Sequence, residues 1–277
     1  MIGRIIKALS NDYTVKADNK EYICKARGKF RNQKITPLVG DFIDFDVQNH
    51  YILEIKPRKN ILPRPPVSNV DTSYLITSLK EPDFSSALLD KLILISEYNH
   101  INPVIVFTKQ DLLTKEEKEK IKPILKYYQN LGYKVFLNNQ ITEIEQTFKD
   151  KFCVFTGQSG AGKSTLINKI NPKLNLKTNE ISKALNRGKH TTRHTEALEL
   201  FGGLVADTPG FSALDLTVLS KEDIRNNFKE FSKFECKYRD CMHVKEDGCQ
   251  VKEKVKNGEI LKSRYENYLN FLQDKEV

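Results

Sequence analysis

The sequence predicts a multidomain protein with an all-β barrel first, an α/β domain second and a mostly helical domain last. Short alternating strands separated by turn residues fill the first 60 or so residues. Strands and helices then alternate as far as Asp207, and no strand pattern follows Leu214. We therefore expect domains at residues 1–68, 69–213 and 214–277, which suits the chain's 277 residues.

Composition excludes several classes of protein. Hydrophobic residues make up 39% of the chain and charged residues 29%, which is typical of a folded globular protein and not of a disordered one. The chain contains no run of about 18 apolar residues, so a transmembrane helix is not predicted. The N-terminus has no secretion signal, and we expect a cytoplasmic monomer with no membrane partner. The net charge of +9 favours a polyanionic partner.

The N-terminal segment is predicted to form a small barrel of the oligonucleotide-binding type, because five short strands lie in a basic region. Another small all-β domain remains the alternative. Residues 57–66 contain four prolines and are predicted to be an extended linker. The predicted strands are Arg4–Ala8, Tyr13–Ala17, Tyr22–Ala26, Asp41–Val47 and Tyr51–Ile55.

The central segment is predicted to contain a mostly parallel sheet. Apolar, β-branched runs indicate its strands, and Leu at helical spacing indicates a helix over Ser86–Tyr98. A second, charged helix is expected over Lys115–Gln129, broken or kinked near Pro123. The predicted strands are Thr72–Thr77, Val104–Phe107, Tyr133–Leu137, Lys151–Thr156 and Leu204–Ala206.

A glycine-rich loop between a strand and a helix carries the strongest chemical signal. It matches the pattern GxxxxGK[ST], in which backbone N–H groups and a helix N-terminus bind phosphate oxygens. Lys163 is expected to span the β- and γ-phosphates, as a catalytic residue, and the Ser164 hydroxyl to ligate Mg²⁺. The sequence therefore predicts a nucleoside triphosphate site formed by Gly157, Gln158, Ser159, Gly160, Ala161, Gly162, Lys163, Ser164 and Thr165.

A second phosphate-contacting segment is predicted at Asp207-Thr208-Pro209-Gly210. Asp207 ends an apolar strand, where it suits a contact to the Mg²⁺ shell, and Gly210 can present its N–H to the γ-phosphate. Phe211 follows, where many GTPases carry a glutamine that orients water. An apolar ring cannot orient water, so another group must do so.

The base-recognition motif is predicted at Thr108-Lys109-Gln110-Asp111, which approximates Asn-Lys-x-Asp. The Asp111 carboxylate can accept hydrogen bonds from the ring N–H and the exocyclic amine of guanine, and adenine lacks that pair. The first position is Thr instead of Asn. This motif precedes the P-loop, the reverse of the usual order, which a circularly permuted sheet explains.

A cluster of cysteines near the C-terminus indicates a structural metal site. Three thiolates and one imidazole, from Cys236, Cys241, His243 and Cys249, complete a tetrahedral Zn²⁺ shell with no open position. The alternative is a set of unlinked buried thiols. Cys24 and Cys153 lie in predicted strands and are expected to be core residues.

Taken together, these motifs resemble those of the circularly permuted ribosome-associated GTPases, the small-subunit-dependent GTPase A family. The matching segments are Pro37–Asp41, Pro57–Asn60, Arg64-Pro65, Asn69–Asp71, the guanine motif, the P-loop, Gly188–His194, Asp207–Gly210 and the cysteine cluster. The resemblance implies a GTPase that hydrolyses GTP to GDP with Mg²⁺. It also implies a structural zinc ion and a role in late maturation of the small ribosomal subunit, with binding to its rRNA. The family's Ser-Ala element is replaced by Leu137-Asn138-Asn139.

The segment between the P-loop and Asp207 is where a first switch is expected. A threonine there could complete the Mg²⁺ shell, and we assign Thr192, with Thr191 as the alternative. The family resemblance suggests that a histidine replaces the missing glutamine, and His190 is the candidate catalytic residue. The alternative is that His190 is a solvated loop residue or contacts RNA phosphate.

Two other functions remain open from the sequence. The nucleotide could be only a structural ligand of an RNA-binding protein, or the P-loop could belong to an ATP-using enzyme, against which Asp111 argues. The second switch runs directly toward the C-terminal domain. From this we also expect loss of the γ-phosphate to move that domain.

Overall fold

The N-terminal segment is a closed five-stranded barrel, as predicted. The computed structural model describes residues 1–63, 66–171, 194–207 and 216–274. The strand order 1-2-3-5-4-1 matches the Greek-key barrel of the oligonucleotide-binding fold. A short helix, α1 (Gly28–Asn32), which the sequence analysis missed, connects the third strand to the fourth. The strands are β1 (Ile2–Leu9), β2 (Asp12–Ala17), β3 (Lys20–Ala26), β4 (Phe42–Asp46) and β5 (Tyr51–Ile55).

The predicted extended linker is wrong in part, because its second half forms a packed hairpin. β6 (Ile61–Pro63) pairs antiparallel with β7 (Pro66–Ser68). Leu62 and Val67 are fully buried, and Val67 also bridges to Val39 of the barrel segment. Pro63 and Pro66 lie at strand ends, where a missing N–H is tolerated, and the buried Leu62 and Val67 side chains anchor the two strands.

A buried carboxylate joins the barrel to this hairpin. Asp41 is fully buried and accepts hydrogen bonds from the Leu38 N–H at 2.7 Å and the Ser68 hydroxyl at 2.6 Å. The Arg58 guanidinium donates to it through both Nε and Nη2, each at 2.7 Å. Four donors around one carboxylate compensate its removal from water.

The neighbouring asparagines extend this junction to the central sheet. The Asn60 side chain bonds both backbone groups of Val70, at 2.8 and 2.9 Å. Asn69 accepts from the Lys59 N–H at 2.8 Å, and Asp71 accepts from the Phe152 N–H at 2.8 Å. These contacts, made by described residues in the segments that carry the resemblance, hold the barrel, hairpin and central sheet together.

The central domain contains the predicted parallel sheet. Its strands are ordered β10-β9-β8-β11-β13-β12, with only the last antiparallel to its neighbour. Reading this domain from β11, the chain order becomes β11, β12, β13, β8, β9, β10. The strands are β8 (Thr72–Ser78), β9 (Asn102–Thr108), β10 (Lys134–Leu137), β11 (Phe152–Gly157), β12 (His194–Leu200) and β13 (Gly203–Asp207).

Strand β12, which the sequence analysis did not predict, links this sheet to the barrel. It pairs with β13 on one side and with β1 on the other, where Lys7 lies opposite Glu196. Among the described residues, eleven strands therefore form one continuous sheet. Ion pairs Lys7–Glu196 and Lys16–Glu199 span the junction.

Helices cover both faces of the parallel sheet. α3 runs through Pro123 as one helix, so the predicted break does not occur; Pro123 lies on the exposed side of α3. One face packs against α2, α3 and the C-terminal helices, and the other against α4 and α5. None of the helices in the described ranges is long and apolar enough to cross a membrane. The helices are α2 (Ser86–Tyr98), α3 (Lys115–Asn130), α4 (Ile141–Glu145), α5 (Lys163–Ile170), α6 (Lys221–Asn226), α7 (Gln250–Lys256) and α8 (Lys262–Gln273).

We expect Asp41→Asn to lower the free energy of unfolding by about 3 kcal/mol, because it leaves the Arg58 guanidinium without its compensating charge. Urea unfolding followed by far-UV circular dichroism measures the change. Glu119→Gln, which removes one partner of the exposed Glu119–Lys122 pair, is the control and should change stability far less. Equal effects of the two substitutions would contradict a special role for the junction.

Candidate nucleotide site and metal centre

The P-loop lies at the carboxyl edge of the parallel sheet. β11 ends at Gly157 and α5 begins at Lys163, so the loop joins the central strand to a helix N-terminus. Gly157 has φ 145°, and a Cβ there would lie 2.1 Å from the Ile76 carbonyl oxygen of β8. Only glycine allows this close approach of the two strands. The loop is therefore fixed at its base, while Gln158, Ser159 and Gly160 are exposed.

The P-loop lysine is held close to the loop itself. Lys163 Nζ donates to the carbonyl oxygens of Gly157 at 2.7 Å and Gln158 at 3.0 Å. Its ammonium group therefore lies over the concave side of the loop, where phosphate oxygens bind in such loops. Ser164 is buried at the first turn of α5 and Thr165 is exposed.

Thr108 connects the predicted base motif to the P-loop. Its hydroxyl donates to the Ala161 carbonyl oxygen at 2.6 Å, and both residues are buried. The threonine at this position, instead of asparagine, thus still has a hydrogen bond that joins the two motifs. Because the parallel strands β9 and β11 end at the same edge, this contact fixes the predicted base motif against the P-loop.

The rest of the base motif follows β9 in a single turn. Lys109 has φ 59°, and Gln110–Leu112 form a 3-10 turn that leaves Asp111 exposed. Lys109 Nζ donates to the Glu81 carbonyl oxygen of the loop after β8. The Glu81 segment is not among the predicted site segments. Its position directly after a predicted parallel strand was the signal that could have found it.

Asn138 and Asn139 lie beside the base motif. β10 is parallel to β9 with Leu137 opposite Phe107, and the Asn138 N–H donates to the Phe107 carbonyl at 2.9 Å. The Gln140 side chain accepts from the Leu137 N–H at 2.8 Å and so fixes the turn. The segment that replaces Ser-Ala is thus at the sheet edge where such an element is expected.

Several predicted site residues lie outside the described residues. These are His190, Thr191, Thr192 and Gly210. Asp207 is the last residue of β13 and is in register with Phe155 of β11, so its backbone reaches the same edge as the P-loop.

The predicted metal ligands converge. The ligand atoms of Cys236, Cys241, His243 and Cys249 all lie within 4.8 Å of one another, and no other such cluster occurs in the described ranges. His243 Nδ1 is 3.6 Å from Cys236 Sγ and 3.4 Å from Cys249 Sγ, and these two sulfurs are 3.9 Å apart. The four groups could therefore hold one metal ion. This convergence argues against the alternative of unlinked thiols.

The surroundings of the cluster shift the pKa values of its four groups in different directions. Burial raises the pKa of the Cys241 and Cys249 thiols. Desolvation opposes the Cys236 thiolate, but the backbone N–H groups of Val251 and Gln250 outweigh it and lower the pKa of Cys236. Burial lowers the pKa of His243, which favours the neutral imidazole that binds metals.

Hydrogen bonds hold the turn that carries His243. Tyr265 and Tyr268 of α8 donate to the carbonyls of His243 and Met242, each at 2.6 Å. Glu246 accepts from the Met242 and Val244 N–H groups at 2.8 Å. Such supporting contacts orient metal ligands.

Comparison with known proteins identifies the family. The RsgA GTPase family model matches residues 55–217, and the RsgA N-terminal domain model matches residues 2–51. The chain belongs to the RsgA GTPase family.

Relatives and solved structures match along nearly the whole chain. It is 49% identical to "Small ribosomal subunit biogenesis GTPase RsgA 2" of Oceanobacillus iheyensis, covering 98% of this chain and 96% of that protein. It is 50% identical to the RsgA of Enterococcus faecalis, covering 99% and 95%. The crystal structure of YjeQ from Thermotoga maritima matches with a TM-score of 0.87 and 35% identity, covering 99% and 98% of the two chains. YloQ, described as a circularly permuted GTPase, matches with a TM-score of 0.84 and 40% identity, covering 99% and 94%.

We expect Thr108→Val to weaken GDP binding about tenfold, because the buried Ala161 carbonyl loses its donor. Thr108→Ser keeps the hydroxyl and should bind within about twofold of the unmodified protein. Titration with a fluorescent GDP analogue measures both affinities. Unchanged affinity in the valine variant would show that the two motifs are positioned by other contacts.

Proposed function

We propose that this chain binds GTP and hydrolyses it to GDP and phosphate during late maturation of the small ribosomal subunit. The observation that carries the proposal is the Thr108–Ala161 hydrogen bond, which joins a guanine motif to a P-loop in a member of a GTPase family. The relatives named above are small ribosomal subunit biogenesis GTPases. The predicted domain limits, 1–68, 69–213 and 214–277, remain part of the proposal.

Phosphate binding would use the P-loop and the first turn of α5. Lys163 Nζ exchanges the Gly157 and Gln158 carbonyls for oxygens of the β- and γ-phosphates. The N–H groups of residues 158–165 at the helix N-terminus bind the remaining oxygens. The Ser164 hydroxyl would hold Mg²⁺, which when bound would supply positive charge beside the phosphates. Lys163 and the loop amides favour hydrolysis because they bind the charge that develops on the phosphate oxygens.

Base selection would rest on Asp111. Its exposed carboxylate has no hydrogen bond to another described residue and is free to accept from guanine. Lys109, anchored on Glu81, and Gln110 complete the loop that positions it. An adenine base would leave the carboxylate unpaired, so binding of ATP is disfavoured.

Water orientation and the remaining Mg²⁺ contact are assigned to the switch segments. We assign His190 as the group that orients the attacking water and Thr192 as a Mg²⁺ ligand. Asp207 would reach the Mg²⁺ shell, and the Gly210 N–H the γ-phosphate. A neutral imidazole can orient water at pH 7, whereas Phe211 cannot.

The partner class follows from charge and family. The net charge of +9 suits ribosomal RNA, whose phosphates attract lysine and arginine. We assign the small ribosomal subunit and its rRNA as partners of a cytoplasmic monomer.

Zinc fits the cysteine cluster. Zn–S bonds of about 2.3 Å and Zn–N bonds of about 2.0–2.1 Å give tetrahedral S–S and S–N edges of about 3.8 and 3.5 Å. The separations of 3.9, 3.6 and 3.4 Å agree with these values. Three cysteines and a histidine leave no open position, so zinc would be structural.

The first test measures hydrolysis of GTP and ATP, each with and without purified small ribosomal subunits. We expect turnover only of GTP and strong stimulation by the subunits. Lys163→Ala should abolish turnover, and Asp111→Asn should weaken the preference for guanine. His190→Ala should lower turnover at least tenfold with little change in GTP affinity, because the interaction acts only in the transition state.

Each alternative predicts a different result. If the nucleotide is only a structural ligand, the unmodified protein should show no hydrolysis that depends on Lys163. If the protein is an ATP-using enzyme, it should hydrolyse ATP, and Asp111→Asn should not change its nucleotide preference. His194→Ala is the matched control for His190→Ala, and equal losses in both would contradict the assignment of His190.

The metal proposal predicts one zinc ion per purified chain by elemental analysis. Cys249→Ser should remove it, because the serine hydroxyl replaces a thiolate ligand. Cys24→Ser changes a buried thiol of the barrel and should keep the metal. A full zinc content in the Cys249→Ser chain would contradict the assigned ligands.

A further inference from the structure

A buried arginine ties the C-terminal domain to the nucleotide-binding domain. The Arg264 side chain on α8 is only 1% exposed. Its Nε and Nη2 bind the two oxygens of Glu230 at 2.6 and 3.2 Å, and its Nη1 binds Asp90 of α2 at 2.7 Å. The guanidinium carbon also lies 4.4 Å from the ring centre of Phe228. Proposed catalysis uses none of these groups.

Asp90 is the point where three helices meet. It is fully buried and accepts from Arg264 of α8, from Asn267 of α8 at 2.6 Å and from the Tyr128 hydroxyl of α3 at 2.7 Å. All three partners are donors, so the carboxylate is satisfied in its ionised form. Removing one partner of a buried ion pair is strongly destabilising. The Asp90–Arg264 contact therefore holds α2 and α8 together.

α2 extends from this contact to the phosphate-binding loop. Its N-cap is Ser85, whose hydroxyl accepts from the Leu88 N–H at 3.2 Å. Ser85 and Leu88 line a small cavity together with Gln158 of the P-loop. Asp90 lies five residues after Ser85, about 7.5 Å along the helix axis. The C-terminal domain therefore holds α2 close to the end that faces Gln158 of the P-loop across this cavity.

We propose that Arg264 is a positioning residue that makes the C-terminal domain and α2 move as one body, so that a partner bound to that domain adjusts the P-loop at Gln158. This inference rests on the proposed stimulation of GTP hydrolysis by the small ribosomal subunit. In this proposal the coupling between the two domains passes through α2 and not through the second switch. The reason is that the contacts of Asp90 are buried and ionic, with fixed hydrogen-bond geometry. A route through the second switch is the competing outcome.

The test is a neutral variant that keeps the shape of the network. Asp90→Asn, Glu230→Gln and Arg264→Met are combined, because replacing all members of a buried ionic group avoids an unpaired charge. GTP turnover is measured with and without small ribosomal subunits, and binding of the subunits is measured separately by co-sedimentation. We expect basal turnover and subunit affinity to be unchanged and the stimulation to fall about tenfold.

Two further variants keep the test decisive if the triple variant is unstable. Tyr128→Phe removes one donor to Asp90 without changing charge and should reduce stimulation by a smaller factor. Lys229→Gln removes the interdomain pair with Glu97, which lies in the last turn of α2 far from Ser85, and should leave stimulation unchanged.

Three outcomes would overturn the inference. Full stimulation of the triple variant would assign the coupling to the second switch. Loss of stimulation that matches a loss of subunit affinity would make the network purely structural, and equal loss in Lys229→Gln would remove the special role of Asp90. If the unmodified protein itself is not stimulated, the proposed function fails, and the inference with it.

Discussion

The structure depends on one strand that is hydrogen-bonded on both sides. β12 pairs with β13 of the parallel sheet and with β1 of the barrel. An unpaired edge strand would expose a row of N–H and C=O groups, and the barrel satisfies them within the chain. Because the barrel joins the sheet through a backbone ladder, it cannot rotate against β12 without breaking hydrogen bonds. The two motifs at the nucleotide site and the barrel therefore share one rigid sheet.

This continuity explains why the permuted order is tolerated. The sheet's spatial order is β10-β9-β8-β11-β13-β12 whichever strand comes first in the chain. The carboxyl ends of β9 and β11 meet at one edge, so Thr108 reaches Ala161 although the guanine motif precedes the P-loop. Site geometry depends on strand neighbours, and permutation changes only the connections. In the permuted order the chain enters the parallel sheet at β8. The β6–β7 hairpin and the hydrogen bonds of Asp41 hold the segment that leads into β8 against the barrel.

Local patterns predicted most of the elements and the four candidate metal ligands, which converge. The helix over Ser86–Tyr98 and the four metal ligands agree with the structure because helical spacing and ligand chemistry are local signals. β12 was missed because its pairing depends on β1, nearly two hundred residues away. The Asp90–Arg264 contact was missed for the same reason, since its two residues are distant in the sequence. A charged residue in a helical pattern is predicted to be exposed unless its buried partner is known.

The C-terminal domain is held by two different kinds of force. The metal ligands fix the turn between Cys236 and Cys249, whereas α8 is fixed by Arg264 and by an apolar core that is continuous with α2. Tyr265 and Tyr268 connect the two, since they extend from α8 to the carbonyls beside His243. A metal ion held by these four residues would therefore shape the outer surface of the domain, whereas the ionic network sets its orientation on the nucleotide-binding domain. Among the described residues, α8 gives changes at the outer surface a buried ionic route to α2 through Arg264 and Asp90.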